Sequence, residues 1–425
     1  MIQSSMSKTT DKPLRILMPS YRSHPFTGGQ GIYMRLVTKA MVELGHSVEV
    51  ISGQPYPLLD EGVKLTKLPS LDLYSYDNPL KAFKFKLLKE PIDLYEWLSH
   101  LSGGFSEPYT FGERMAVWAK KNYNRFDVVH DNQTLAYGLI KLRDMGVPVV
   151  GTIHHPITMD KRIDIKHAES LFLKLLKWRW YSFLKMQIKV ARKLDPIIVV
   201  SENTRKDVVK DFKIDPKKTR KVLHGIDHKT FEPIPSIKRK ENQLITTASA
   251  DVPLKGLIYL IRAYSDLLNE FPELSLIVIG KLRDGPTSKE LDKKGIKNKV
   301  KFISDLTSRQ ISELYAESTI AISPSVYEGF GFPAGEAMSC GIPLISTNGG
   351  SLPEVVGDSG IIVPHSNPNE LRKAIKELLL SPEKRQEFGE KGRNRVLEKF
   401  TWKRAARELV EVYREAISNA DNRSR

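Results

Sequence analysis

Cysteine is almost missing from the chain: Cys340 stands alone among 425 residues. A disulfide framework and a cysteine-based zinc site both need several sulfurs, so both are excluded, and a reducing compartment fits best. Long apolar runs are missing too, since none approaches the ~18 residues that a membrane span requires. Met1 to Pro13 is polar and carries Ser, Thr and Lys with no apolar core, so it does not read as a secretory signal. No short-period repeat is present, which sets solenoids aside. With 40% hydrophobic, 27% charged and 8% aromatic residues, the composition is that of a folded soluble body and excludes low-complexity disorder. At roughly 150 residues per domain the length allows two or three domains. Charge is the one imbalance: 66 Lys and Arg against 50 Asp and Glu leave +16. An excess of this size points to nucleic acid, an anionic membrane face or an anionic small substrate.

What is present is a repeated alternation of short apolar runs and helical patterns. Leu14 to Ser20 reads as a strand, Gly28-Gly29-Gln30-Gly31 as a loop, Ile32 to Leu44 as a helix closed by Gly45, and Ser47 to Ile51 as the next strand. The punctuation recurs at Phe126 to His130, Val147 to Ile153 and Pro196 to Val200. After Asp227 to Asn242, which carries Pro233, Pro235 and the run Lys238-Arg239-Lys240, the theme repeats. Strands are expected at 244–247, 274–279, 300–303, 319–323, 342–346 and 360–363, with helices at 257–270, 308–317, 333–340 and 369–380. Apolar strands alternating with helices imply parallel sheets covered on both faces. The expected architecture is α/β, two doubly wound domains facing each other across a cleft. The expected division is 1–12 as a flexible N-terminus, 13–229 and 243–399 as the two domains, 230–242 as the linker, and 400–425 as a C-terminal helix.

In doubly wound sheets, ligands bind beyond the carboxyl ends of the strands, where helix N-termini offer free amides to anions. Ser323 to Pro343 supplies such a place: a glycine-punctuated loop, Ser325 to Phe332, runs into a helix that opens with Pro333. Glu328 falls on the loop and Glu336 one turn into the helix, near the same mouth. Backbone amides of Gly331, Phe332 and Ala334 suit a diphosphate or sugar hydroxyls there. Taken as unrelated residues, the two acids read as a solvated loop acid and an early-helix acid favoured by the helix dipole.

The whole stretch resembles the Glu-x7-Glu signature of the family 4 retaining glycosyltransferases, which have the two-Rossmann GT-B fold. The resemblance continues through the Gly28-Gly29 loop, Thr152-Ile-His154, Val200 to Arg205, Gly225-Ile-Asp227, Lys255-Gly256, Gly349-Gly350 with Pro353-Glu354, and Phe400-Thr-Trp402, all in the family's order. It implies that Glu328 contacts the hydroxyls of the transferred sugar, helped by amides around Phe330, Gly331 and Phe332. It implies further that Glu336 holds the donor ribose and Lys255 neutralises the donor diphosphate, its point charge adding to a helix dipole. Gly28 and Gly29 would form an unobstructed amide loop near the phosphates and acceptor. His154, or His155 beside it, would reach the transferred sugar from the N-terminal domain, and Leu306 would border the nucleobase or simply pack in the core. Members commonly carry an arginine five or six residues before the lysine, where this chain has Ala250 and Ser249; Lys281 and Arg283 are the candidate replacements. His224 stands where the family commonly has asparagine.

By this resemblance the donor is a nucleotide diphosphate sugar and the acceptor a glycan or glycolipid, lipid-linked or in the cell envelope. No cofactor is expected, and no metal, because no Asp-x-Asp sits at a strand end where a donor would bind. Hinges are expected at 227–242 and 400–402. A sugar-nucleotide epimerase or phosphorylase of the same fold is the alternative enzyme, against which the Glu-x7-Glu spacing with its Gly-Phe-Gly loop argues. The remaining alternative is a non-enzymatic basic binder of membrane or RNA, which would not depend on Glu328 or Lys255. Residues 161–193 hold ten Lys and Arg against two acids, interleaved with Phe172, Leu175, Leu176, Trp178 and Trp180. They read as a basic amphipathic helix on an anionic membrane surface or as a solvated helix with one core face. Residues 80–89 have the same character. The expected location is cytoplasmic, with peripheral membrane contact as one reading of the charge, and no nucleic acid is expected because no recognition motif accompanies it.

Overall fold

Parallel strands need long crossovers, and helices between short apolar runs supply them. The computed structural model describes residues 12–25, 29–166, 168–248 and 252–424. Its first sheet contains β1 (Arg15–Ser20), β2 (Ser47–Ser52), β3 (Val63–Lys67), β4 (Val128–Asn132), β5 (Val149–Ile153), β6 (Ile197–Val199) and β7 (Thr219–Lys221), in the order β3-β2-β1-β4-β5-β6-β7. Its second contains β8 (Gln243–Thr247), β9 (Ser275–Ile279), β10 (Val300–Ile303), β11 (Ile320–Ser323), β12 (Leu344–Thr347) and β13 (Ile361–Val363), in the order β10-β9-β8-β11-β12-β13. β1 pairs in parallel with β2 and β4, and β8 with β9 and β11. Strand order therefore reverses between β1 and β4 in one sheet and between β8 and β11 in the other. Those reversals are where doubly wound sheets open a crevice for ligands.

The central strands are buried on both faces: β4, β5 and β11 have no exposed residue, and β8 has only Thr247 less than fully covered. Leu244, Leu276, Val278 and Ile320 pack with Leu260, Ile261 and Tyr264 of the helix Leu257–Leu267 on one face of the second sheet. Met338, Cys340, Leu352 and Phe400 fill the other. β3 and β7 were not expected. Val63-Lys-Leu-Thr-Lys67 and Thr219-Arg-Lys221 are polar sheet-edge strands, and edge strands lack the apolar runs that mark buried ones.

By packing, the chain divides into two compact units: Met1–Thr152 with Leu175–Ile198 and Ala406–Arg425, and Ile153–Lys174 with Val199–Ala405. By strand order the change of sheet falls between Lys221 and Gln243, the interval containing the expected linker. The two divisions differ because the segments that follow β5 and β6 pack within the second unit. The C-terminal helix runs Trp402–Ser424, longer than the apolar pattern to Ile417 suggested. From Ala406 onward it belongs to the first unit, where Tyr413 lies 2.5 Å from Nδ1 of buried His130.

The basic stretch 161–193 is not one helix. It is divided among Thr158–Lys166, Leu171–Trp180, a turn at Tyr181–Phe183 and Leu184–Ala191. Ser170 sets the second start, its hydroxyl accepting the amide of Leu173 at 3.2 Å. The apolar burial begins at Tyr181 and Phe183 of the turn and continues through the last segment; in Thr158–Lys166 and Leu171–Trp180 no residue is buried. Among the described residues, no helix is long and apolar enough to cross a membrane.

Candidate active site

The second unit gathers its chemistry at the β8/β11 reversal. After β8, Pro253–Lys255 forms one tight turn and Gly256, at φ 62°, admits the chain to the helix Leu257–Leu267. A side chain on Gly256 would put its Cβ 2.1 Å from the carbonyl of Pro324, just after β11. The amide of Val326 closes the same joint by donating to Leu254 at 2.8 Å. These contacts bring Lys255 Nζ to 2.6 Å from Glu328 Oε1, with both side chains largely covered. Ser325 Oγ donates to the same oxygen at 2.8 Å. Glu328 Oε2 has no protein partner among the described residues.

The main chain from Glu328 to Gly331 is held through its carbonyls. Glu328 O accepts from the amide and hydroxyl of Ser351, Gly329 O from the hydroxyls of Ser201 and Thr204, Phe330 O from Ser351 Oγ, and Gly331 O from the amides of Ala334 and Gly335. The amides show the opposite. From Glu328 to Phe332 none donates to a protein acceptor among the described residues. Five donors in succession, ahead of the helix Phe332–Ser339 and beside Lys255, form a cradle for an anion.

Glycines make the cradle possible. Gly331, at φ 97°, turns the chain into the helix. Gly350, at φ 62°, would place a Cβ 2.2 Å from the carbonyl of Glu328, and Gly329 would place one 2.2 Å from the carbonyl of His154. The chain leaving β5 thus lies directly on the Glu328 loop. His154 Nδ1 is 3.0 Å from His224 Nε2. His224 stacks on Phe332 at 5.4 Å and 5°, and meets Phe330 edge-on at 5.1 Å. Next to it, His155 is 2.9 Å from Asp160. Loss of hydration pulls the His155 imidazole down, but the hydrogen bond and charge of Asp160, with Glu328 adding, raise it above its ordinary value.

Glu336 lies a turn into the helix. Loss of hydration, with the Asp227 carboxylate adding, pushes it up to about 7. The first unit has a polar group of its own at the carboxyl ends of β1 and β4: Arg22 lies 3.2 Å from Glu107, and Asp131 accepts the amide of Leu135 at 2.9 Å. Burial pushes both Glu107 and Asp131 up to about 7.

Lys255, Glu328, Phe330, Gly331, Phe332, Glu336 and His154 all fall within the second unit. His154, expected in the N-terminal domain, packs with the second unit because Gly329 leaves room for its main chain. The Phe330 side chain is core, 4% exposed, so only its backbone is available to a ligand. Leu306 is half-buried against the cluster holding Tyr315 and Met338, which accounts for its packing. Gly29 opens the helix Gly29–Glu43 of the first unit, where a loop was expected; Gly31, two residues in, would put a Cβ 2.0 Å from His24 O. Gly28, Ser249 and Ala250 lie outside the described residues. Of the two candidate replacements for the arginine, Lys281 pairs with Asp305 at 3.0 Å, while exposed Arg283 has no protein partner among the described residues. Sequence reasoning missed Ser325, Asp160 and the bracing by Ser201, Thr204 and Ser351. It noted His224 only as a departure, and that departure was the available signal.

Residues 27–230 match the model of Glycosyltransferase Family 4, and residues 229–395 match that of Glycosyl transferases group 1. The chain is 42% identical over 410 residues to the MMP alpha-(1->4)-mannosyltransferase of Mycolicibacterium hassiacum, covering 95% of this chain and 99% of that one. Among solved structures it resembles the sucrose-phosphate synthase of Thermosynechococcus elongatus, with a TM-score of 0.71 at 19% identity over 96% of this chain and 100% of that one. It also resembles Anabaena Alr3699/HepE in complex with UDP-glucose, with a TM-score of 0.65 at 15% identity and coverage of 96% and 100%.

Gly329→Ala is expected to fold and to weaken nucleoside diphosphate binding at least tenfold, because the new methyl displaces the loop from His154; unchanged affinity by calorimetry would refute the close approach. Glu336→Gln tests the buried carboxyl. A native value near 7 against an ordinary 4.5 means the unfolded chain releases its proton first, so the wild type loses stability as pH rises from about 4.5 through 7. The melting temperature of the variant relative to wild type should therefore climb between pH 5 and 8, whereas a constant gap would contradict the assignment.

Proposed function

We propose an activity on the premise that the chain belongs to glycosyltransferase family 4 and has the family's GT-B fold: it transfers a mannosyl unit from a nucleotide diphosphate sugar to a glycan acceptor, retaining the anomeric configuration. The run of five unspent amides at Glu328–Phe332 beside Lys255 carries this reading. Such a cradle suits a diphosphate, and the negative charge that grows on the leaving diphosphate is what preorganised donors stabilise most. Support for mannose and an α-(1→4) linkage comes from the 42% identical mannosyltransferase.

Each residue has a part in this reading. Lys255 exchanges its pairing with Glu328 for the donor phosphates, with Arg283 as the second cation. Glu328, through Oε2, and His154, positioned by His224, hold the hydroxyls of the transferred sugar. Glu336 binds the ribose and Leu306 borders the base. Lysine and amides supply the positive charge that a divalent cation supplies elsewhere, so the reaction needs no metal.

The acceptor would meet the enzyme at an anionic membrane surface. The helix Leu171–Trp180 favours this, exposing Leu171 at 79%, Phe172 and Leu175 at 67% and Trp178 at 53% among Lys174, Lys177 and Arg179. Apolar side chains alternating with cations suit an interface between lipid and water.

Incubation with a panel of labelled nucleotide diphosphate sugars tests the activity. Transfer to a mannan acceptor is expected; isomerised sugar or no turnover would refute it. Lys255→Ala and Glu328→Ala should each lower the rate by about 10² or more, and EDTA should leave it intact. Near-normal turnover in the folded variants, or a loss in EDTA restored by Mn²⁺, would contradict the assigned roles. Vesicle flotation tests the surface: binding should require anionic lipid, fall with salt and weaken on Phe172→Ser with Trp178→Ser. Equal binding to neutral vesicles, or none at low salt, would remove it.

A further inference from the structure

The second sheet has an amino edge as well as a carboxyl edge, and a cavity of about 800 Å³ opens there. Asn242, Thr319 and Pro343 line it, each standing one residue before β8, β11 and β12 respectively. Lys255 and Glu328 follow β8 and β11, so the cavity lies at the opposite end of the same strands from the catalytic loops.

Arg239, Arg385 and Arg393 also line this cavity. Arg239 donates to the carbonyls of Ser318 and Gly341, Arg385 to those of Leu378 and Leu379, and Arg393 to those of His228, Phe231 and Ser339. These bonds hold helix ends and linker in place, yet they leave the charge unanswered. Among the described residues, none of the three guanidinium groups forms an ion pair with a carboxylate. Arg385 and Arg393 use Nη1 alone, so Nε and Nη2 of both lack a protein acceptor. Lys240 adds a fourth cation, but its Nζ is paired with Glu317 at 2.5 Å. Two acids share the rim, Glu241 and Glu390, the latter holding Gln386 Nε2 at 3.0 Å. Loss of hydration lowers the pKa of Arg239, and the charge of Arg385 works in the same direction.

We infer that this cavity binds a phosphorylated sugar, its phosphate forked by the free donors of Arg385 and Arg393 and its hydroxyls met by Asn242, Gln386 and Asn394. Planar guanidinium groups are the side chains best shaped to take a phosphate through two parallel bonds. The volume falls within the range of small-molecule sites. Among the described residues no aromatic side chain lines the cavity, so a nucleobase would find none of them to stack on, which favours a sugar phosphate over a nucleotide.

Calorimetry on the full chain decides the matter, using mannose 6-phosphate, glucose 6-phosphate, inorganic phosphate and mannose. The hexose phosphates should bind, more weakly at high salt, and at least tenfold tighter than inorganic phosphate; mannose alone should not bind. Arg385→Gln should weaken binding about tenfold or more, with Arg385→Lys restoring part of it. Gln386→Glu, which leaves the helix-end carbonyls untouched, should weaken it too. Lys255→Ala should change nothing, and saturating nucleoside diphosphate should not displace the ligand. Absence of hexose phosphate binding, equal affinity for inorganic phosphate, or indifference to both Arg385→Gln and Gln386→Glu would overturn the assignment. Displacement by nucleoside diphosphate would also overturn it, by placing the ligand in the active site.

Discussion

A backbone amide removed from water without an acceptor is costly, and folded proteins almost always supply one. From Glu328 to Phe332 this chain leaves five in a row, while the carbonyls from Glu328 to Gly331 are all held by the protein. That one-sidedness fixes what surrounds it. Ser201, Thr204 and Ser351 must stand behind the loop as donors, because only then can its carbonyls turn inward and its amides outward. Glycine must stand at 329 and 350, because the main chains of His154 and Glu328 occupy the space of a side chain. The motifs scattered along the sequence are thus parts of a single support.

Charge follows from the same arrangement. Lys255 faces Glu328 at 2.6 Å, a pair that keeps a cation beside the amides without committing it. A covered ion pair gives little net stability once desolvation is counted, so under the proposed activity exchanging Glu328 for a phosphate oxygen would cost little and would free the carboxylate for sugar hydroxyls. The paired state and the ligand-bound state then differ chiefly in which anion Lys255 holds.

Much of this was legible beforehand because buried parallel strands write themselves as apolar runs. The strand at 300–303 and the helix at 308–317 coincide with expectation to the residue, and the helix of Glu336 is displaced by one. The edge strands β3 and β7 were not legible, since strands half in water need no apolar run. The stretch 161–193 misled because its composition is uniform, whereas its folding is not: Ser170 starts a new helix and only the part from Tyr181 to Ala191 finds a core to cover. In the site, residue types and spacing were readable at Lys255, Glu328 and Glu336. Their supports were not, because Ser325, Ser351 and Asp160 are common polar residues whose meaning comes only from what the fold sets opposite them. His224 could be read as unusual but not as the ring that holds His154.

The central claim is that the amides of Glu328 to Phe332 wait for the phosphates of a nucleotide. Amide hydrogen exchange reports on those five N–H groups directly, in the free protein and with a saturating nucleoside diphosphate or the parent nucleoside. The account predicts fast exchange in the peptide spanning 328–332 when the site is empty, strong protection with the diphosphate, and little with the nucleoside, which has no phosphate to offer. Slow exchange in the free protein, or protection by the nucleoside equal to that by the diphosphate, would contradict it.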